Sequence, residues 1–324
     1  MNHAIRIYET GGPEVLRWEE VSLGELAPNE ARVRHEAVGL NFIDIYFRSG
    51  RYPLTLPNGL GLEGAGVVEA IGSAVTEVQV GDRVAYAGGP PGAYSEARNI
   101  PADRLVRLPD AIDFKHAAAM MLQGMTAQYL LRRTFRVQAN DTILIQAAAG
   151  GVGLIVCQWA KALGARVIGT VGSDEKAALA KAHGCDYPIV YTREDFVGRV
   201  KEITSGEGVP VVYDSVGGDT FMKSLDCLRP LGMMVTFGQS AGPVAPVDTQ
   251  ELSKRGSLFL TRPSLFTYVA KRADLLHSAQ ELFDMVGTGR VKIAVNQSYA
   301  LKDAAQAHID LAARKTTGST ILLP

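Results

Sequence analysis

Residues 142–153 read TILIQAAAGGVG, an apolar strand that runs into a glycine-crowded turn and opens a helix. That order of parts is how a dinucleotide pyrophosphate is held. The strand ends, the backbone turns tightly, and amide N–H groups at the helix start face the phosphates. Set against G-x-G-x-x-G, the chain supplies Ala148, Gly150 and Gly153, so an alanine replaces the first glycine and the turn is altered there. Gly150, Gly151 and Val152 are the candidate phosphate contacts. A glycine cluster alone does not define a nucleotide site; its surroundings decide.

Those surroundings alternate. LIVCQWAKAL (154–163) has helical apolar spacing and stops at Gly164, and RVIGTV (166–171) is a β-branched strand. Helix is expected at 174–183, strand at 187–190, helix at 194–204 and strand at 209–215. A helix from Asp219 to Leu228 then leads to a strand at 233–237. Strand and helix alternating in this way imply a doubly wound parallel sheet with right-handed crossovers, the α/β Rossmann arrangement.

The first 110 residues differ. Short β-like runs at 4–8, 16–21, 31–38, 64–71 and 83–87 lie between Gly, Pro and Asn turns, which suggests a β-rich domain or partial barrel. The alanine-rich FKHAAAMMLQGMTAQYLL (114–131) is helical in pattern, with Gly124 expected to break it into two helices. Beyond the fifth strand, 257–260 is a further strand candidate, 265–286 an amphipathic helix, and the end runs strand, helix, strand (319–323). The expected domains are 1–123, 124–265 and a C-terminal segment, 266–324.

At 324 residues two domains are the sensible expectation, and 47% hydrophobic with 21% charged residues fills two cores. A formal net charge of -1 without runs of like charge gives no support to nucleic acid or an anionic membrane as a partner. Cys157, Cys185 and Cys227 are widely spaced, which fits buried hydrophobes in a reducing, cytoplasmic setting rather than a disulfide framework. MNHAIRIYET lacks the apolar core of a signal peptide. The charge-free window 142–160 is long enough to span a membrane, but its mid-window glycines mark it as the buried heart of the nucleotide unit.

The stretches GGPEVL (11–16), GLNFIDIY (39–46), RSGRYP (48–53), GLEGAGVV (61–68), GDRVAY (81–86), AAAGGVG (147–153), VYDSVG (212–217) and TRPSL (261–265) occur in one order along most of the chain. In these the chain resembles the zinc-free quinone oxidoreductases of the medium-chain dehydrogenase/reductase superfamily, the group that includes zeta-crystallin. The resemblance implies a GroES-like catalytic domain, built from the N-terminal part and the C-terminal tail, around an inserted Rossmann cofactor domain. It also implies a homodimer, commonly formed by pairing edge strands of the cofactor domains. Zinc-dependent relatives need an early cysteine and a Gly-His-Glu; here no cysteine precedes Cys157 and that place reads Gly61-Leu62-Glu63. No metal is expected.

NAD enzymes carry an Asp or Glu about 20 residues past the glycine turn, for the ribose 2′-hydroxyl. This chain has Thr170-Val171-Gly172-Ser173 there, with Lys176 one helical turn later, which favours NADPH. Gly172, Ser173 and Lys176 are the candidate 2′-phosphate contacts, joined through the resemblance by Tyr191. Two roles stay open to Lys176: phosphate partner, or solvated surface lysine. Asp174 and Glu175 put negative charge at the same helix start.

The resemblance places Asn41, Tyr46 and Tyr52 around the nicotinamide and acceptor. Asn41 would bond the ribose or the acceptor oxygen; the tyrosines would meet a planar ring, or pack with satisfied hydroxyls. Gln123 and Thr126 fall where the family lines the nicotinamide site. Ser215, Val216 and Phe237 end strands, where open α/β sheets bind ligands. Arg262 and Arg314 match cofactor-proximal family positions. The expected activity is NADPH-dependent reduction of quinones. Alternatives are reduction of an activated C=C bond in an enone or alkenal, and cofactor-gated RNA binding or a structural role of the zeta-crystallin kind.

Overall fold

The run EARVRHEAVGL at 30–40 alternates buried and less buried side chains, and it forms the longest strand of the structure, a computed structural model describing residues 1–218 and 220–324. Contacts divide the chain into two units. Unit 1 comprises Met1–Met125, Val269–Gly287 and Ile293–Pro324; unit 2 comprises Thr126–Tyr268 and Thr288–Lys292.

Unit 1 opens with β1 (His3–Ile7), β2 (Arg17–Glu20) and β3 (Glu30–Leu40), followed by α1 (Phe42–Arg48) and the short β4 (Asn58–Gly59). Next come β5 (Glu63–Ile71), β6 (Arg83–Ala87), β7 (Ala97–Pro101) and β8 (Val106–Arg107). β2-β1-β4 form a small sheet, and Val33, Val68, Val84 and Tyr86 fill the core beneath the larger one. Then α2 (Phe114–Tyr129) begins.

Unit 2 alternates as its apolar periods require: β9 (Thr142–Ile145), α3 (Gly151–Ala162), β10 (Arg166–Val171), α4 (Asp174–Ala182), β11 (Tyr187–Val190) and α5 (Phe196–Ile203). It continues with β12 (Val209–Asp214), α6 (Thr220–Asp226), β13 (Leu228–Thr236), α7 (Gln250–Lys254), β14 (Phe259–Thr261) and α8 (Leu265–Tyr268). The sheet order is β11-β10-β9-β12-β13-β14, every pair parallel. The order reverses direction at β9, so the switch point between β9 and β12 lies beside the glycine turn that β9 carries at its C-terminal end.

The chain then returns to unit 1 with α9 (Arg272–Gly287), β15 (Val295–Ala300), α10 (Ala304–Ala312) and β16 (Ser319–Leu323). β16 lies between β15 and β3, completing the order β15-β16-β3-β5-β6-β8, with β7 also paired to β3.

Three local expectations need correction. Gly124 does not break α2; a Cβ there would sit 2.5 Å from Leu282 of α9, so the glycine serves close helix packing while its helix-forming neighbours carry the helix on. The irregular turn comes later, as a π-helical segment at Leu130–Thr134. The helix expected over 265–286 is two, because Arg104 donates to the carbonyls of Val269 and Ala270 (3.3 and 3.4 Å) between them. The fifth strand starts at Leu228, where the helix was expected to end. Its Pro230 falls outside the stretch paired with β14, where no ladder hydrogen bond is lost. Asp219, the expected start of α6, lies outside the described residues. Among the described residues no helix is long and apolar enough to cross a membrane.

Candidate functional site

In unit 2 the turn at 147–153 is built by exclusion. Ala147 takes φ 58, and a Cβ on Gly153 would lie 2.4 Å from the Ala147 carbonyl oxygen, so backbone packs on backbone here. The alanine at the first glycine place is accommodated because Gly169 on β10 leaves room for its methyl: a Cβ on Gly169 would lie 2.5 Å from that of Ala148. Leu154 N–H closes the first bond of α3, onto Gly150 O at 2.9 Å. The amides of Gly151, Val152 and Gly153 therefore precede the ladder, at the positive end of a twelve-residue helix. A diphosphate fits that cradle.

A second cluster sits at the end of β10. Ser173 caps α4, its Oγ accepting from Lys176 N–H at 3.4 Å, and a Cβ on Gly172 would lie 3.3 Å from the Tyr191 hydroxyl. Gly172, Ser173, Lys176 and Tyr191 are thus brought together. Of the two acids at this helix start, Asp174 is held by Arg193, whose Nη1 and Nη2 donate to Oδ2 and Oδ1 at 2.7 and 2.5 Å. Arg193 was not singled out from the sequence.

A third cluster forms at the ends of β12 and β13, organised by Asp214, which the sequence reading also missed. Its fully buried carboxylate accepts from Val216 N–H (2.7 Å), Gly217 N–H (3.0 Å), Thr220 Oγ (2.9 Å) and Ser224 Oγ (3.0 Å). This fixes the turn carrying Ser215 and Val216, and the Phe237 amide donates to Asp214 O at 2.8 Å. Arg262 Nη1 donates to the carbonyls of Thr236 and Gly238 (3.0 and 2.9 Å), on either side of Phe237. Thr170, Gln146 and Ser224 form a buried chain that ends on Asp214 and links the tips of β10, β9 and β12. Thr126 is buried at the first residue of this unit and bonds the Tyr129 side chain.

Unit 1 holds the other candidates. Asn41 caps α1 and is buried; its Nδ2 donates to Glu63 Oε2 (2.7 Å) and its Oδ1 accepts from Gln123 Nε2 (3.1 Å). Gln123 Oε1 accepts from Ser319 Oγ at 2.6 Å, and Leu122 N–H donates to Glu63 Oε1 at 2.8 Å. Burial pushes the Glu63 carboxyl up to about 8. Gly39 makes room for it: a Cβ there would lie 2.2 Å from Oε2.

A second buried chain anchors α1 from below. Arg48 Nη1 bonds His308 Nδ1 (3.0 Å), His308 Nε2 bonds the Tyr94 hydroxyl (3.0 Å), and that hydroxyl donates to Asp44 Oδ2 (2.9 Å). Arginine only donates, so Nδ1 accepts and His308 carries its hydrogen on Nε2. Burial and the neighbouring Arg48 push His308 down to about 3, and burial lifts Asp44 to about 7. Asp44 Oδ2 also accepts the Asn41 N–H at 2.9 Å, so both chains converge on Asn41.

Tyr46 is buried on α1, edge-on to Tyr52 at 5.3 Å, within an aromatic group that includes Phe42 and Phe47. Arg314 is exposed past the end of α10, at φ 58. A separate groove of about 520 Å³ beside β15, lined by Asp113, His116 and Gln297 among others, contains none of the residues singled out from the sequence.

Zinc does not fit these residues. Leu62 stands where a ligand histidine would be, and Glu63 is engaged by Asn41 and Leu122. His35 is buried between Ser95 O (2.7 Å) and the Tyr86 hydroxyl (2.9 Å). Cys157, Cys185 and Cys227 are all buried and unpaired by disulfides. Among the described residues no three His, Cys, Asp or Glu side chains gather as a metal site.

Residues 27–110 match the alcohol dehydrogenase GroES-like domain family, and residues 151–276 match the zinc-binding dehydrogenase family. A quinone oxidoreductase of Pseudomonas aeruginosa is 55% identical over 100% of both chains. A 2-haloacrylate reductase of Burkholderia sp is 46% identical over 98% of both. The crystal structure of Escherichia coli quinone oxidoreductase complexed with NADPH superposes with a TM-score of 0.98 at 50% identity, covering 99% of this chain and 100% of that one.

Proposed function

The chain belongs to the quinone oxidoreductase family of the medium-chain dehydrogenases/reductases, and from that premise we propose how its residues reduce a quinone with NADPH. The observation that carries the cofactor choice is the end of β10. It delivers Gly172, Ser173 and Lys176 where an NAD enzyme carries a ribose-binding acid, and the acid that follows is already paired.

NADPH, when bound, supplies the hydride, so the protein's task is to hold it and shape the acceptor pocket. The amides of Gly151 and Val152, after Gly150, bind the diphosphate. Lys176, with Ser173 and Tyr191, takes the 2′-phosphate. Ser215, Val216, Phe237 and Arg262 border the nucleotide, as Thr126 and Arg314 do. Asn41, oriented by Glu63 and Gln123, hydrogen-bonds the ribose or the acceptor oxygen. Tyr46 and Tyr52 supply an aromatic wall for a flat acceptor. A quinone is electrophilic enough to need no Lewis acid. Glu63 and Asp44 are buried and engaged within the fold, so the one proton that completes the hydroquinone after hydride transfer comes from water.

The molecule acts as a homodimer joined through β14. That strand is the free edge of its sheet, and Phe259 (57% exposed), Leu260 (38%) and neighbouring Leu231 (68%) leave an apolar rim there. Three buried free thiols fit a cytoplasmic setting.

Steady-state assay of 1,4-benzoquinone, naphthoquinones and small enones, with NADPH and with NADH, tests the activity. Quinone turnover preferring NADPH is expected; turnover of none of the quinones would remove the reading. Reduction of a conjugated C=C bond is the second reading, favoured by the likeness to 2-haloacrylate reductase. Higher kcat/KM for enones than for quinones would select it.

A further inference from the structure

We propose that Arg193 is a specificity-determining residue: by neutralising Asp174 it makes the start of α4 tolerant of a phosphate dianion. The inference rests on the NADPH reading of this site.

Asp174 and Glu175 open α4 directly after Gly172-Ser173, and an unpaired carboxylate there repels a 2′-phosphate. Arg193 reaches that spot from beyond β11, two residues after Tyr191, and grips Asp174 with both arms of its fork, at 2.7 and 2.5 Å. The bond to Arg193 holds the Asp174 carboxyl below its ordinary value, and a bond to Ser173 does the same for Glu175. Glu194, the next acid along, is turned to other partners: it accepts from Val190 N–H at 2.9 Å and lies 3.5 Å from Arg199.

Stability does not account for this pair. The side chains of Arg193 and Asp174 are 57% and 66% exposed, and exposed pairs contribute little to folding. Its effect on charge is larger. Two carboxylates, Asp174 and Glu175, stand against two cations, Lys176 and Arg193, and the cluster is neutral. Without Arg193 it is an anion, without Asp174 a cation, and without both it is neutral again. A ligand with a phosphate dianion senses each step; one with a hydroxyl in its place does not.

The test is a fluorescence titration of NADPH and NADH on wild type, Arg193→Gln, Asp174→Asn and the double variant. In low salt Arg193→Gln weakens NADPH binding about three- to tenfold and leaves NADH within about twofold. Asp174→Asn binds NADPH at least as well as wild type. The double variant returns to within about twofold of wild type, and 0.5 M salt compresses the series. Equal losses for both cofactors, no loss in Arg193→Gln, or a double variant as weak as Arg193→Gln overturns the proposal. Wild type without affinity for NADPH would instead sink the underlying reading, which separates the two failures.

Discussion

Replacing Glu63 by glutamine removes a buried titratable group without changing shape, and the consequence for stability is fixed by pH. The carboxyl lies at about 8 in the folded chain against an ordinary 4.5, raised mainly by burial and further by Asp44. Hydrogen bonds from Asn41 and the Leu122 backbone oppose that rise without cancelling it. A folded value above the unfolded one means the native state binds more protons. The stabilisation is complete below about 4.5 and is lost as pH rises through 8. Between pH 7 and 9 a group centred at 8 releases its proton while the unfolded carboxyl is already ionised at both ends. The integral over that window is one pH unit, or about 1.4 kcal/mol. Urea unfolding of unit 1, followed through Trp18 in a Trp159→Phe background, reads the difference. The parent should lose about 1.4 kcal/mol more than Glu63→Gln between pH 7 and 9. Any constant offset from placing an N–H against Asn41 cancels in the slope. Parallel pH curves for the two proteins would refute the argument that Glu63 is both buried and proton-linked.

Three further outcomes follow from the geometry. Gly153→Ala places a methyl 2.4 Å from the Ala147 carbonyl and so must open the turn; NADPH affinity should fall at least about tenfold, with unit 1 unfolding unchanged. Tyr94→Phe leaves the His308 Nε2–H without its acceptor and strips a donor from Asp44. Each loss costs about 1–3 kcal/mol, and a measured change under about 0.5 kcal/mol in denaturant unfolding would contradict the tautomer assigned to His308. Phe259→Glu charges the exposed edge of β14, and sedimentation should show a monomer; an unaltered dimer would exclude that edge as the interface.

The nucleotide unit was legible because its signals are local. The apolar run at 142–145, the turn after it and the missing acid after Val171 each act within a few residues, and β9, α3 and β10 stand where those signals put them. The quantities that escaped depend on distant partners. Nothing near Glu63 in sequence announces Asn41 and Leu122, 22 and 59 residues away. His308 finds Arg48 across 260 residues, and Arg193 meets Asp174 across 19. Gly124 misled for the opposite reason. A local rule reads it as a breaker, while the neighbour that explains it, Leu282, lies far along the chain. Asp214 was hidden within a strand whose end had been noticed but whose buried carboxylate had not.

The placement of β16 sets an order of assembly. Its partner β3 is made within the first 40 residues, yet the strand that covers that flank is residues 319–323, made only after the whole of residues 126–268. His308, which completes the buried bridge to Arg48, is nearly as late. Residues 126–268 can close their own sheet during synthesis. The older segment must wait with one ladder of peptide groups unpaired. A nascent chain stalled after residue 300 should therefore yield a protease-resistant nucleotide unit joined to a sensitive amino-terminal third, and addition of residues 301–324 should seal it.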